Sequence, residues 1–132
     1  PIRYRETLAG QCGNRMVLTY SAFDSGSLWL QSDQAWERIR DDVMALPNFN
    51  ARHRSLHRRL VGSATAVEPD GSGRILIPPS LRQVAGLEKR VIMLGMGNRF
   101  EIWDEDTLNT QRAEEVSNLD AQASAEMESL VL

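Results

Sequence analysis

The amino-acid sequence predicts an α+β fold made of two related halves. Three observations predict it: a repeated order of elements, two strand-like runs in each half, and helix starts marked by capping residues. The repeat reads proline, short helix, strand, turn, strand, helix. In the first copy Pro1 leads into "IRYRETLAG", then "RMVLTY" and "SLWL", then "QSDQAWERIRDDVMAL". In the second, Pro78 leads into "PSLRQVAGL", then "RVIMLGM" and "RFEIW", then "DEDTLNTQRAEEV". The spacing tightens from Pro1 and Pro78 to Leu28 and Phe100, so the first copy has the longer loops.

Each element has a local cause. Ser32 or Asp33 caps a helix in which Trp36, Ile39, Val43 and Leu46 keep a helical spacing. Asn50 caps a second helix over 51–61, with Leu56 and Leu60 as a narrow apolar stripe and Gly62 as its stop. Residues 64–68 alternate as a strand, and "RILIP" from Arg74 reads as the strand that answers it across a turn. Pro79 suits the first position of a short helix whose Leu81, Val84 and Ala85 share a face, and Gly86 supplies a left-handed cap. Residues 90–96 and 99–103 are apolar or β-branched runs around the Gly97-Asn98 turn signal. A last helix begins near Asp104, where acidic residues complement the dipole. From Ser117 the chain predicts a weak, partly exposed helix or disorder.

Composition bounds what any motif can mean. The chain has 132 residues, 42% of them hydrophobic, enough for one ordinary domain with its own core. No apolar run approaches the ~20 residues of a membrane helix. The opening "PIRYRETLAG" is too charged for a secretory signal, so a cytoplasmic protein is expected. The lone Cys12 reads as a small apolar filler. The net charge of −3 hides a division: the first 100 residues carry fourteen basic and nine acidic side chains, and the remainder nine acidic against Arg112 alone. All basic residues but Lys89 are arginine, whose fork matches phosphates and guanine edges. A GC-rich genome produces the same arginine bias, so the bias permits nucleic-acid binding without proving it.

Catalysis needs converging groups, and the sequence offers few. Ser63 in "VGSAT" lacks the nucleophile-elbow pattern, and no Gly-rich segment precedes Lys-Ser or Lys-Thr. His53 and His57 stand at metal-ligand spacing, but "HRSLH" lacks the glutamate of the zinc-peptidase pattern and its arginines repel a cation. Asp104, Glu105 and Asp106 lack the alternation and glycine of a calcium loop, and a helix start explains them better. No enzyme activity, metal or cofactor is expected.

The segment that asks for more is "EPDGSGRILIPP". Asp70, Gly71, Ser72 and Gly73 account for a turn, but a turn does not need Arg74. With its setting, "DGSGRILIPPSLR" resembles the signature half-repeat of the MraZ family of bacterial transcriptional regulators, which has the AbrB-like fold. The likeness extends through "PIRYRETL", "SLWLQSDQAWERI", the run from "ARHRSLHRRLVG" to "VIMLG", and "NRFEIWDED".

That resemblance implies two tandem swapped-hairpin half-repeats forming a small β-barrel with flanking helices. Residues 1–47 would be the first half, 48–62 an arginine-rich connecting helix, 63–116 the second half, and 117–132 an acidic tail. It implies ring-shaped homo-oligomers that bind tandem repeats in duplex promoter DNA and repress their own operon, the division and cell-wall cluster, at the nucleoid. The family's Asp-x-x-x-Arg motif falls on Asp70 and Arg74, with Gly71, Ser72 and Gly73 between. Arg74 is then expected to meet phosphate or a guanine edge while Asp70 holds the loop. Arg52, Arg54, Arg58 and Arg59 are secondary candidates for phosphate contact. The corresponding first-half hairpin would precede Pro1 and is absent from this sequence, which predicts an open sheet edge and weakened DNA binding. The competing reading is a protein-interaction module whose hairpin tip meets a protein partner.

Overall fold

A computed structural model describes residues 15–88, 90–118 and 126–130. The helix expected after Pro1, and Cys12, lie outside them. Five strands form one antiparallel sheet: β1 (Met16–Tyr20), β2 (Ser27–Ser32), β3 (Thr65–Val67), β4 (Val91–Gly95) and β5 (Phe100–Asp104), in the order β3-β1-β2-β5-β4. The hairpin of each sequence repeat is present, β1 with β2 and β4 with β5. The two hairpins join through β2 and β5, with Leu28 opposite Ile102. β3 follows the connecting helix in sequence yet pairs with β1, Met16 opposite Val67.

Strand alternation sends side chains to two cores. Met16, Leu18, Leu28, Leu30, Val67 and Ile102 pack on one face with Leu81, Ala85 and Leu87. Val17 and Trp29 turn to the other face and meet Trp36, Val43 and Leu60. These partners come from helices that the sequence starts as expected. Ser32 caps α1 (Asp33–Met44), its hydroxyl accepting the Ala35 N–H at 3.1 Å. The Asn50 side chain accepts the Arg52 N–H at 2.8 Å and opens α2 (Ala51–Leu56). The short α3 (Pro79–Val84) has proline in its first turn, and Gly86 follows at φ 64. The tight turn between β4 and β5 places Gly97 at φ 88, a left-handed conformation that glycine adopts without steric cost. Asp104 starts α4 (Glu105–Ser117), although its carboxylate accepts the Glu88 N–H at 3.0 Å rather than capping the helix.

Four expectations differ from what the described residues form. The described sheet is open, with β3 and β4 as its edges, so no barrel is formed by these residues. The strand expected from Arg74 makes no ladder among the described residues. Ile75 and Ile77 turn to the core while Leu76 stays 80% exposed, a strand-like alternation for which the described residues supply no partner. The connecting helix is not α-helical throughout: His57–Val61 forms a π turn, closed by the Gly62 N–H on the His57 carbonyl at 2.9 Å. Val84 does not share the buried face of Leu81 and Ala85. It is 49% exposed, at the margin of a narrow buried stripe that Leu81 and Ala85 carry.

Candidate nucleic-acid interface

The chain leaves the sheet edge at Val67 and returns toward the core at Ile75, and the turn between them is organised by one side chain. Backbone bonds from Asp70 N–H to the Arg74 carbonyl (2.8 Å) and from Gly73 N–H to the Asp70 carbonyl (2.9 Å) close the turn. Asp70 Oδ1 then accepts two further backbone donors, Ser72 N–H at 2.8 Å and Arg74 N–H at 2.9 Å. An aspartate at the start of a turn is suited to this, since its short carboxylate reaches donors two to four residues on. Gly73 sits at φ 79, in the left-handed region that disfavours a side chain. A Cβ added at Gly71 would meet nothing within 4 Å.

The electrostatic result is asymmetric. The Asp70 charge faces inward on two N–H groups, while Arg74, exposed like the rest of residues 70–74, presents a cation at the tip. Among the described residues its guanidinium makes no ion pair or side-chain hydrogen bond. Such a tip can offer a planar, five-donor fork to an acceptor pair.

The other arginines singled out in the sequence divide. Arg59 is committed within the fold: Nε donates to the Ser21 carbonyl at 2.7 Å, Nη2 to the Asp24 carbonyl at 2.9 Å, and the guanidinium lies 4.2 Å from the Tyr20 ring centroid. Arg54 Nη1 donates to the Asn48 carbonyl at 2.8 Å from an exposed position. Arg52 and Arg58 are exposed, with no side-chain partner among the described residues. Nothing in "RHRSLHRRL" distinguishes Arg59 from its neighbours. Both Arg58 and Arg59 lie in the π turn, where successive side chains point in different directions, Arg59 toward the β1–β2 loop and Arg58 to solvent. A further contact that the sequence did not suggest stacks Arg99 over Trp29 at 3.9 Å.

His53 Nδ1 is engaged 3.1 Å from the Pro47 carbonyl, and no group of three or more potential metal ligands occurs among the described residues. No helix of the described residues is long and apolar enough to cross a membrane.

Comparison with known proteins places this geometry in a family. The family model described as "MraZ protein, putative antitoxin-like" matches residues 60–129, a span that contains the whole loop. The chain belongs to the MraZ family. A "Transcriptional regulator MraZ" of Thioalkalivibrio sulfidiphilus (strain HL-EbGR7) is 47% identical over 134 residues, covering 100% of this chain and 88% of the relative. Proteins of the same name from Stenotrophomonas maltophilia (strain R551-3) and Xanthomonas campestris pv. campestris (strain 8004) are 50% and 49% identical over 105 residues. In both cases 80% of this chain and 71% of the relative are covered. In this MraZ-family chain, the loop that resembles the family's Asp-x-x-x-Arg motif is the one that Asp70 organises.

Proposed function

We propose that the protein is a sequence-specific DNA-binding transcriptional repressor that reads tandem promoter repeats through the Asp70–Arg74 loop. The observation that carries this reading is the division of labour in the loop: Asp70 fixes the backbone on both sides of Gly73, and Arg74 leaves it as an exposed cation. In this reading Arg74 contacts phosphate or, bidentate, the O6 and N7 of a guanine, the latter worth about 1–3 kcal/mol of discrimination. In this reading the open space at Gly71 gives the duplex room to approach.

One such loop binds weakly, so the function rests on repetition. A ring-shaped oligomer set against repeated sites makes later contacts intramolecular and raises avidity by about 10²- to 10⁴-fold where the spacings match. The half-repeats 1–47 and 63–116, joined by 48–62 and followed by the tail 117–132, would form the subunit. The unpaired alternation at Ile75, Leu76 and Ile77 and the open edge at β4 support completion of the sheet into a barrel by further strands. Action on its own division and cell-wall operon, at the nucleoid, follows from the resemblance alone, and the relatives' name supports transcriptional regulation.

The test is a fluorescence-anisotropy titration of a duplex with tandem G-rich repeats and of a scrambled duplex. It is run with this chain and with a form extended by a first-half hairpin before Pro1. The expected result is preference for the repeats, stronger in the extended form. Equal, weak binding of both duplexes by both forms would turn the reading toward a loop that meets a protein partner.

A further inference from the structure

Between the π turn, β3 and α3 lies a cleft of about 440 Å³, within the size range of small-molecule sites. Its apolar lining is Ala64, the buried Leu81 and the half-exposed Val84. Most of the polar groups around it are committed within the fold. Arg59 is held by the Ser21 and Asp24 carbonyls. The Ser63 hydroxyl donates to the Arg59 carbonyl at 2.5 Å and accepts the Tyr20 N–H at 2.8 Å, and the Thr65 hydroxyl donates to the Ser63 carbonyl at 3.1 Å. These bonds fix one wall of the cleft before any ligand arrives. Two groups remain at its mouth: the Arg58 guanidinium and the Ser80 hydroxyl, both on exposed residues and without a side-chain partner among the described residues.

That pair selects the ligand. A single guanidinium balances one negative charge, and its fork fits the two oxygens of a carboxylate. A phosphate monoester carries nearly two charges, and the other arginine lining the cleft, Arg59, already faces carbonyls. No acidic residue lines the cleft to repel an anion. The apolar lining favours a hydrocarbon body, since a bare anion leaves Val84 in water.

We propose that this cleft binds a small amphipathic monocarboxylate, its carboxylate on Arg58 and Ser80 and its hydrocarbon over Ala64, Leu81 and Val84. The position of the cleft gives the binding a consequence. Thr65 belongs to β3 and Ser80 to α3, the elements that precede and follow the Asp70–Arg74 loop in the chain, whereas Arg58 belongs to the π turn. A ligand that touches all three ties both stems of the loop to the connecting helix. Local opening of the stems then requires its release, so the bound state opens less often. The proposal does not rest on the DNA-reading role of the loop.

The experiment needs no DNA. The full chain is titrated calorimetrically with octanoate at constant ionic strength, and with acetate, octylamine and inorganic phosphate as comparison probes. Octanoate is expected to bind about tenfold or more tightly than acetate or phosphate, and octylamine not at all, because the site needs both the anion and the hydrocarbon. Arg58→Gln and Val84→Asp, both at exposed positions, are each expected to weaken octanoate about tenfold, with thermal melts of the free proteins showing that they are folded. Amide hydrogen exchange over residues 65–84 is expected to slow when octanoate is added to the parent chain, and not in Arg58→Gln at the same concentration. Equal octanoate affinity in the parent and both variants overturns the proposal, since binding is then non-specific. So does tighter binding of phosphate than of octanoate, or octanoate binding that leaves exchange over 65–84 unchanged. Arg74→Ala is expected to bind octanoate as the parent does, so failure of the DNA-reading loop and failure of this site are told apart.

Discussion

The Asp70 carboxylate accepts the Arg74 backbone N–H at 2.9 Å, so the residue that opens the loop also fixes the root of the side chain that leaves it. An arginine side chain has many rotamers to lose on binding, and a fixed backbone limits that cost to the side chain alone. The pairing explains why an acidic residue can stand beside a DNA-facing arginine: its charge is spent on two N–H donors rather than on the phosphate side.

Asp70→Ala therefore removes both side-chain bonds of an exposed turn. The expected loss of stability is small, about 1 kcal/mol, whereas DNA affinity falls nearly as far as in Arg74→Ala. Asp70→Asn keeps an acceptor oxygen and retains most of the affinity. Paired chemical denaturation and DNA titration of the three variants check this. Equal affinity of Asp70→Ala and the parent chain would separate the loop geometry from binding.

The two loop glycines differ. Gly73→Ala places a side chain at φ 79 and is expected to cost about 1–2 kcal/mol of unfolding free energy with loss of the turn. Gly71→Ala adds a methyl group to open space and leaves stability unchanged. If Gly71→Ala nevertheless weakens DNA binding, the duplex approaches over that position. Thermal melts and titrations of both variants distinguish the two effects.

Arg59→Ala is expected to destabilise the protein by about 1–3 kcal/mol, since it deletes two charge-assisted bonds to the Ser21 and Asp24 carbonyls and the stacking on Tyr20. Arg59→Lys rescues little, because an ammonium cannot span both carbonyls in one plane. Urea midpoints of the two variants provide the check.

Burial raises the carboxyl of Asp24 above its usual 3.8, with Glu101 and Glu115 adding to the effect and Arg59 opposing it. A carboxyl raised in the folded state contributes stability that is fully present below its unfolded value and is lost as pH rises through its folded value. At neutral pH the ionised Asp24 is thus a burden, and Asp24→Asn is expected to raise Tm. The advantage shrinks as the pH falls through the raised folded value and Asp24 of the parent chain protonates. A Tm difference that is constant across that range would contradict the assignment.

The sequence made legible what local physics dictates. Caps at Ser32 and Asn50, the proline at the start of α3, and the Gly97-Asn98 turn all stand where their chemistry requires, because each acts through neighbours in the chain. Pairing partners were less legible. "RILIP" has the alternation of a strand, but a ladder depends on what lies beside it, and the described residues offer Ile75 and Ile77 a core without offering the backbone a partner. Val84 matched the spacing of Leu81 and Ala85, yet spacing does not say how wide the buried stripe is. Arg59 was indistinguishable from Arg58 by type, and only the direction each takes from the shared π turn separates the one bound inside the fold from the one left outside.

The role of Arg74 is tested most directly by the salt dependence of DNA affinity in the parent chain and in Arg74→Ala, each titrated with the repeat duplex and a scrambled one. Each phosphate contact contributes about −0.9 to the slope of log K against log[salt], so backbone and base recognition separate. The expected result is that Arg74→Ala loses the preference for the repeats while the slope changes by no more than about one contact per subunit. An unchanged preference in Arg74→Ala would contradict the assignment of Arg74 as the reader and leave the loop as a turn.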